Sequence, residues 1–267
     1  MPNLPISQLP DISGSTLGYL SPDAEFAVAQ DGVTYKVKES SVNPITHYGS
    51  FIFDSNTTLT ANIQNGSTTS DIEVVSTTGF ASAGYIKIGS EIIGYTSKTS
   101  ASFVGITRSV ASSNGTSHSI GDYVTQAQWS PAQTPAQVIL DETLLSSGVT
   151  LSGVGDVTVL NAGTYNFQFS IQFENFGNDY ADAAVWFKLN GNNISKTASY
   201  TTISQSHGGT PGATIMTVNI FHTCAAGDVM SLWWRNREGL ATITSIAPVD
   251  GTIPQSPGVI FTVNQIV

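Results

Sequence analysis

The chain has little charge and one cysteine. Only 10% of its 267 residues are Asp, Glu, Lys or Arg, well under the ~25% usual for a soluble domain. Ser, Thr, Asn and Gly take their place, residues that suit sheet surfaces and tight turns rather than helices. Basic residues are scarcest: 9 against 19 acids, a net charge of -10 and no cationic cluster. Binding to duplex DNA or RNA needs clustered Lys and Arg, so nucleic acid is not an expected partner. Cys224 stands alone, which excludes an intrachain disulfide and a Cys-based metal site and leaves a small buried hydrophobe as its expected role. No apolar run approaches the ~20 residues of a membrane helix, so membrane insertion is not expected. The opening "MPNLPISQLPDISGS" has neither the basic stretch nor the apolar core of a secretion signal, which points to synthesis in a cytoplasm and release by another route, such as lysis. Helical periodicity is missing throughout.

What is present is strand after strand. At 40% hydrophobic residues the chain can build real cores. In Tyr165-Asn166-Phe167-Gln168-Phe169-Ser170-Ile171-Gln172-Phe173 every odd position is apolar and every even one polar, the period of two of a strand with one buried face. Three blocks follow from composition. In residues 1–45, Pro2, Pro5, Pro10, Pro22 and Pro44 rule out long regular elements. Phe26 and Val28, then Val33 and Tyr35, flank Asp31-Gly32 and predict a hairpin too small to be stable alone. Residues 46–127 hold short runs such as "DIEVVS", "YIKIGSEIIGYTS" and "SFVGITRS" between Gly- and Ser-rich turns, a small all-β module. The segment "QWSPAQTPAQ" marks a boundary. Residues 128–267 read as strands near 137–141, 148–151, 156–160, 164–174, 182–189, 213–223, 229–235, 241–246 and 258–266, with turns at Ala162-Gly163, Asn190-Gly191 and Gly227-Asp228. So many antiparallel strands in so few residues predict a two-sheet sandwich.

The third block resembles the C1q/TNF-like jelly roll, especially variants found on bacteriophage particles, through "LNAGTYNFQFSIQF", "VWFKLNGNNI", "AAGDVMSLWW" and the closing "PGVIFTVNQIV" in that order. The middle block, "VVSTTGFASAGYIKIGSEIIGYTSKTSASFVGITRS" followed by "HSIGDYV", is similar to a β module recurrent in phage structural proteins. The first block, "ISQLP" followed by "EFAVAQDGVTYKVKESSV", resembles N-terminal segments of phage appendage proteins. The jelly-roll resemblance implies a compact homotrimer. None of the three brings a catalytic residue set.

The residues themselves offer little chemistry. His47, His118, His207 and His222 are the only histidines, none within three to five residues of another, against the spacing of zinc ligands. Asn175, Asn178, Asp179 and Asp182 share one presumed loop, a candidate ligand loop whose hard oxygens suit calcium, although any strand connection uses the same residues. Asp156, Glu174, Asp179 and Glu238 sit at strand ends without the paired arrangement of a glycosidase. "GGTPGAT" lacks the Lys-Ser/Thr of a phosphate loop, and the polar stretch 199–214 reads as a loop able to hydrogen-bond a sugar or protein. Aromatics are the better signal. Tyr165, Phe167, Phe169, Trp186, Phe187, Trp233 and Trp234 are candidate core or trimer-interface residues, and only one of Trp233 and Trp234 can face the core. The expectation is therefore an all-β protein: a short N-terminal anchor, a small β module and a C-terminal jelly-roll β-sandwich. It would be a non-enzymatic structural component of a phage virion, a trimeric fibre, knob or capsid decoration. Ile6, Leu9, Phe26, Val28, Val33 and Tyr35 would anchor it to other virion proteins, and no cofactor is expected. The alternatives are a tail fibre recognising a host surface glycan, and a glycan depolymerase.

Overall fold

The computed structural model describes residues 25–30 and 33–38 as backbone, and residues 47–66, 71–249 and 251–266 in full. The chain divides into two compact units, Met1–Thr46 and His47–Val267. In the first, β1 (Glu25–Gln30) and β2 (Val33–Lys38) pair antiparallel, with Phe26 opposite Val37 and Val28 opposite Tyr35. The expected Asp31-Gly32 turn and the anchor residues Ile6 and Leu9 lie outside the described residues.

The second unit is all-β among the described residues, and every strand pairing in it is antiparallel. It opens with β3 (Tyr48–Phe53) and β4 (Asn56–Thr58). The module continues through β5 (Ile72–Glu73), β6 (Gly84–Ile88), β7 (Glu91–Tyr95), β8 (Ser97–Lys98), β9 (Ser102–Val104), β10 (Thr107–Val110) and β11 (Tyr123–Trp129). Then come β12 (Pro135–Gln137), β13 (Glu142–Ser147), β14 (Val149–Ser152), β15 (Asp156–Val159), β16 (Gly163–Asn175) and β17 (Ala181–Leu189). The chain closes with β18 (Asn192–Asn193), β19 (Ser199–Ile203), β20 (Gly212–Cys224), β21 (Val229–Asn236), β22 (Ala241–Thr244) and β23 (Val259–Gln265).

The 13-residue β16 organises the unit. One of its edges pairs with β20 along its whole length. Its other edge is shared: Tyr165–Ile171 pair with β23, and Phe173–Asn175 with β22. Two arms of one 11-stranded sheet therefore branch from one strand. From β23 the hydrogen bonding continues through β3 to β13; from β22 it passes through β11 to β6, β7 and β10. The second sandwich sheet runs β14-β15-β21-β17-β18, with β12 on β21 and β19 on β17. Alternation sends Phe167, Phe169, Ile171 and Phe173 inward from β16 to meet Val185 and Phe187 of β17 and Leu232 and Trp234 of β21. Each such side chain contributes roughly 1.5–3 kcal/mol on leaving water. A separate, smaller core forms in the module around Leu59, Ile86, Ile93, Phe103 and Val124.

Turn chemistry fixes the register. Asn190 and Gly191 both have positive φ, 49° and 78°, the backbone of the two-residue hairpin turn whose twist matches its strands. In the Gly227-Asp228 turn, Asp228 accepts hydrogen bonds from the Asn190 side chain and the Ala225 N–H, each at 2.8 Å, and these hold its carboxyl below the usual range.

Several strands differ from the expectation. β3, expected with the module, lies between β23 and β13 in the sandwich sheet, where Phe51 and Phe53 complete the large core. β11 runs across the boundary expected at residue 128. The strand expected at 137–141 is found at Pro135–Gln137; the Val138 N–H still reaches Leu232 of β21, and the Leu140 N–H then turns away to Val154. Ser199–Ile203, expected as loop, is β19, so only the residues after it connect to β20.

Candidate functional site

The alternation that fills the core leaves the opposite residues of β17 and β21 on the outer face. Trp234 points inward, 1% exposed, and Trp233 outward. Trp186 and Trp233 are register partners across the two strands. The Lys188 ammonium stands 3.5 Å from the centre of the Trp233 ring, a cation–π contact. The Trp186 indole N–H donates to Asn193 Oδ1 at 2.9 Å and that of Trp233 to Ser231 Oγ at 3.2 Å. One row further on, Tyr200, Ala184 and Arg235 lie side by side on β19, β17 and β21. They open a shallow depression of about 320 Å³, also lined by Asp182, Thr202 and Arg237. Tyr200 is 76% exposed. Arg237 donates to Asp182 at 3.1 Å and lies 3.5 Å from Glu238. Arg235 has no ion-pair partner among the described residues. The face thus combines aromatic rings, whose indole donors are already used, with cationic groups.

The candidate aromatics divide. Tyr165, Phe167, Phe169, Phe187 and Trp234 are buried in the sandwich core, Tyr165 with its hydroxyl on the Asn161 carbonyl at 2.7 Å; Trp186 and Trp233 are outside. The four polar residues expected in one loop do not converge. Asn175 ends β16, fully buried, and its side chain ties the connection together through Asp179 O, Ser204 O and the Gly177 N–H. Asn178 and Asp179 are exposed, and Asp182 lies within β17, bonded to Thr202 and Arg237. Of the residues expected to form an anchor, Phe26, Val28, Val33 and Tyr35 lie on the paired strands β1 and β2.

The carboxylates considered for acid/base work are dispersed and engaged. Asp156 accepts from Gln137 at 2.8 Å, Glu174 binds Lys87 and Thr244, and Glu238 accepts the Asp182 N–H at 2.7 Å. Glu91, buried in the module, is bound by Arg108 through both oxygens and by His118 at 2.8 Å. Among the described residues no group of three His, Cys, Asp or Glu is placed to hold a metal ion. Burial, with Asp228 nearby, pushes the Cys224 thiol up to about 11, the condition of an unreactive buried thiol.

Sequence reading missed Tyr200, Ala184 and Arg235 as a group. A signal was present: beyond residue 127 the basic residues are Lys188, Lys196, Arg235 and Arg237, all within a stretch of about 50 residues. No protein-family model matches the chain, and no curated protein is significantly similar to it.

Proposed function

We propose that the chain is a non-enzymatic structural component of a bacteriophage virion, a homotrimer that projects as a fibre, knob or capsid decoration and attaches through its N-terminal segment. The assignment to a phage particle rests on the order of the three sequence resemblances. The trimer is supported by the two ends of the first sandwich sheet. At one end, β13 pairs only with β3 and has no buried residue; its Leu144 and Leu145 are 55% and 52% exposed. At the other end, β20 pairs only with β16 and exposes Ile215 and Phe221. An apolar edge strand left open is a site for another chain. Two different open edges suit a head-to-tail contact, and such contacts form a trimer when the rotation between copies closes after three. Light scattering of the purified protein should give three times the 28.1 kDa chain mass, and Leu144→Ser with Leu145→Ser should lower it. A mass of one chain would overturn the reading. Electron microscopy of virions labelled at this protein locates it on capsid or tail.

The second reading, a tail fibre contacting a host surface glycan, draws on the outward Trp186, Trp233, Tyr200 and Arg235.

A further inference from the structure

We propose that the outward face of β17 and β21 binds an acidic polysaccharide, with Arg235 receiving a sugar carboxylate and the neighbouring rings carrying the apolar faces of the sugars. The inference rests on the reading of the sandwich as the projecting part, and it names the chemical class of the glycan.

Charge distribution is the first argument. On a chain of net charge -10 with 9 basic residues, Lys188, Arg235 and Arg237 gather on two adjacent strands or directly after them. An acidic partner is repelled by the protein as a whole and attracted to this face. Arg235 is the group with capacity to spare. The carboxylates beside it, Asp182 and Glu238, are occupied by Arg237, and a planar guanidinium matches a carboxylate through two parallel hydrogen bonds.

Shape is the second. Ala184 lies between Tyr200 and Arg235 in register, and its methyl group forms the floor of a slot with a phenol on one side and a guanidinium on the other. The depression of about 320 Å³ is at the small end of ligand sites, roughly 300–1,000 Å³. Trp233 and Arg235 are two residues apart on one strand face, about 7 Å, so an aromatic contact and a carboxylate contact fall on one sugar or on neighbours in a chain. With both indole N–H groups satisfied internally and Lys188 over one face of Trp233, the tryptophans offer their remaining ring faces rather than donors, which suits the C–H side of a pyranose. A second copy of this chain fits less well, because the open apolar edges for self-association, β13 and β20, belong to the other sheet.

The test uses the full chain in titration calorimetry against polygalacturonate and polysialic acid, with methyl-esterified polygalacturonate and dextran as neutral counterparts. Arg235→Gln and Ala184→Leu are measured beside wild type, with light scattering on every sample. The strength of a charge-assisted guanidinium–carboxylate bond leads us to expect at least one acidic polymer to bind, the neutral ones to bind about tenfold more weakly or not at all, and each variant to lose about tenfold at unchanged mass. The Leu side chain fills the slot without entering the core, so it reports on the site independently of charge. Failure of both acidic polymers to bind, equal binding of the ester, or wild-type affinity in both variants would overturn the proposal. A fall in mass for Arg235→Gln would also overturn it, assigning the face to subunit contact. Wild-type protein that binds the acidic polymers at the mass of one chain would support this site and sink the trimer.

Discussion

The module and the sandwich are joined through β16 and β22, yet they treat buried polar groups differently. The sandwich brings aromatic and aliphatic side chains together from two sheets, Phe167 and Phe169 on one and Phe187 and Trp234 on the other. The module, with a smaller core, also encloses Glu91. Burial alone would raise the pKa of that carboxyl, but His118, Arg108 and the Thr116 N–H bring it down to about 2. At the rim of the sandwich the balance reverses. Burial pushes Asp54 up to about 6; a hydrogen bond from Gln255 opposes this, and the nearby Asp141 and Glu142 add to it. The large core gains most of its stability from apolar area and keeps bonded polar groups such as Asn175 at its end, whereas the small one is built around a fully bonded ion that fits one arrangement of its neighbours.

The largest effect expected is on the sandwich. Trp234→Ala empties the core of its largest side chain and should cost about 3–5 kcal/mol in urea denaturation. Trp233→Ala, one residue away and outward, should cost about 1 kcal/mol or less. The reverse order of costs would mean that β21 faces the other way. Next is the module: Arg108→Met leaves Glu91 buried without its principal cation and should cost about 3 kcal/mol. In hydrogen exchange, β6, β7 and β10 should lose protection while β23 keeps it; loss in β23 as well would show that the two cores melt as one.

The smallest effect sharpens the contrast between the carboxylates through pH. The folded pKa of Asp54 lies above its ordinary 3.8, so it penalises the native state at pH 7, and the penalty is relieved as the pH falls through about 6. Glu91 lies below its ordinary 4.5; its contribution is complete above that pH and is lost as the pH falls toward 2. Melting temperature should therefore rise slightly on acidification from pH 7 to 5, by the equivalent of roughly 1 kcal/mol, and fall below pH 4. Asp54→Asn should remove the rise and keep the fall. A rise that persists in the variant would assign it to another group.

Much of the fold was legible because it is local. The alternation of residues 165–173 announces β16, and Asn190-Gly191 announces its hairpin, since side-chain period and turn backbone depend on neighbours in sequence. β13 escaped because "ETLLSS" does not alternate and buries nothing. β19 escaped because Ser, Tyr and Thr on an outer strand resemble a polar loop. The site was half visible: strand geometry required one of two adjacent tryptophans to be outside, without saying which.

The sequence by itself determined the all-β class, most strand positions, the sparse chemistry and the isolation of Cys224. These follow from composition and from a period of two. Only the tertiary structure decided that β3 completes the large core, that β16 divides one edge between β23 and β22, that Arg108 and His118 converge on Glu91, and that Tyr200, Ala184 and Arg235 share a row. Each of these depends on which distant strand supplies the next set of hydrogen bonds. Any strand edge presents the same backbone groups, so the choice among partners is made by the side-chain packing of the whole unit.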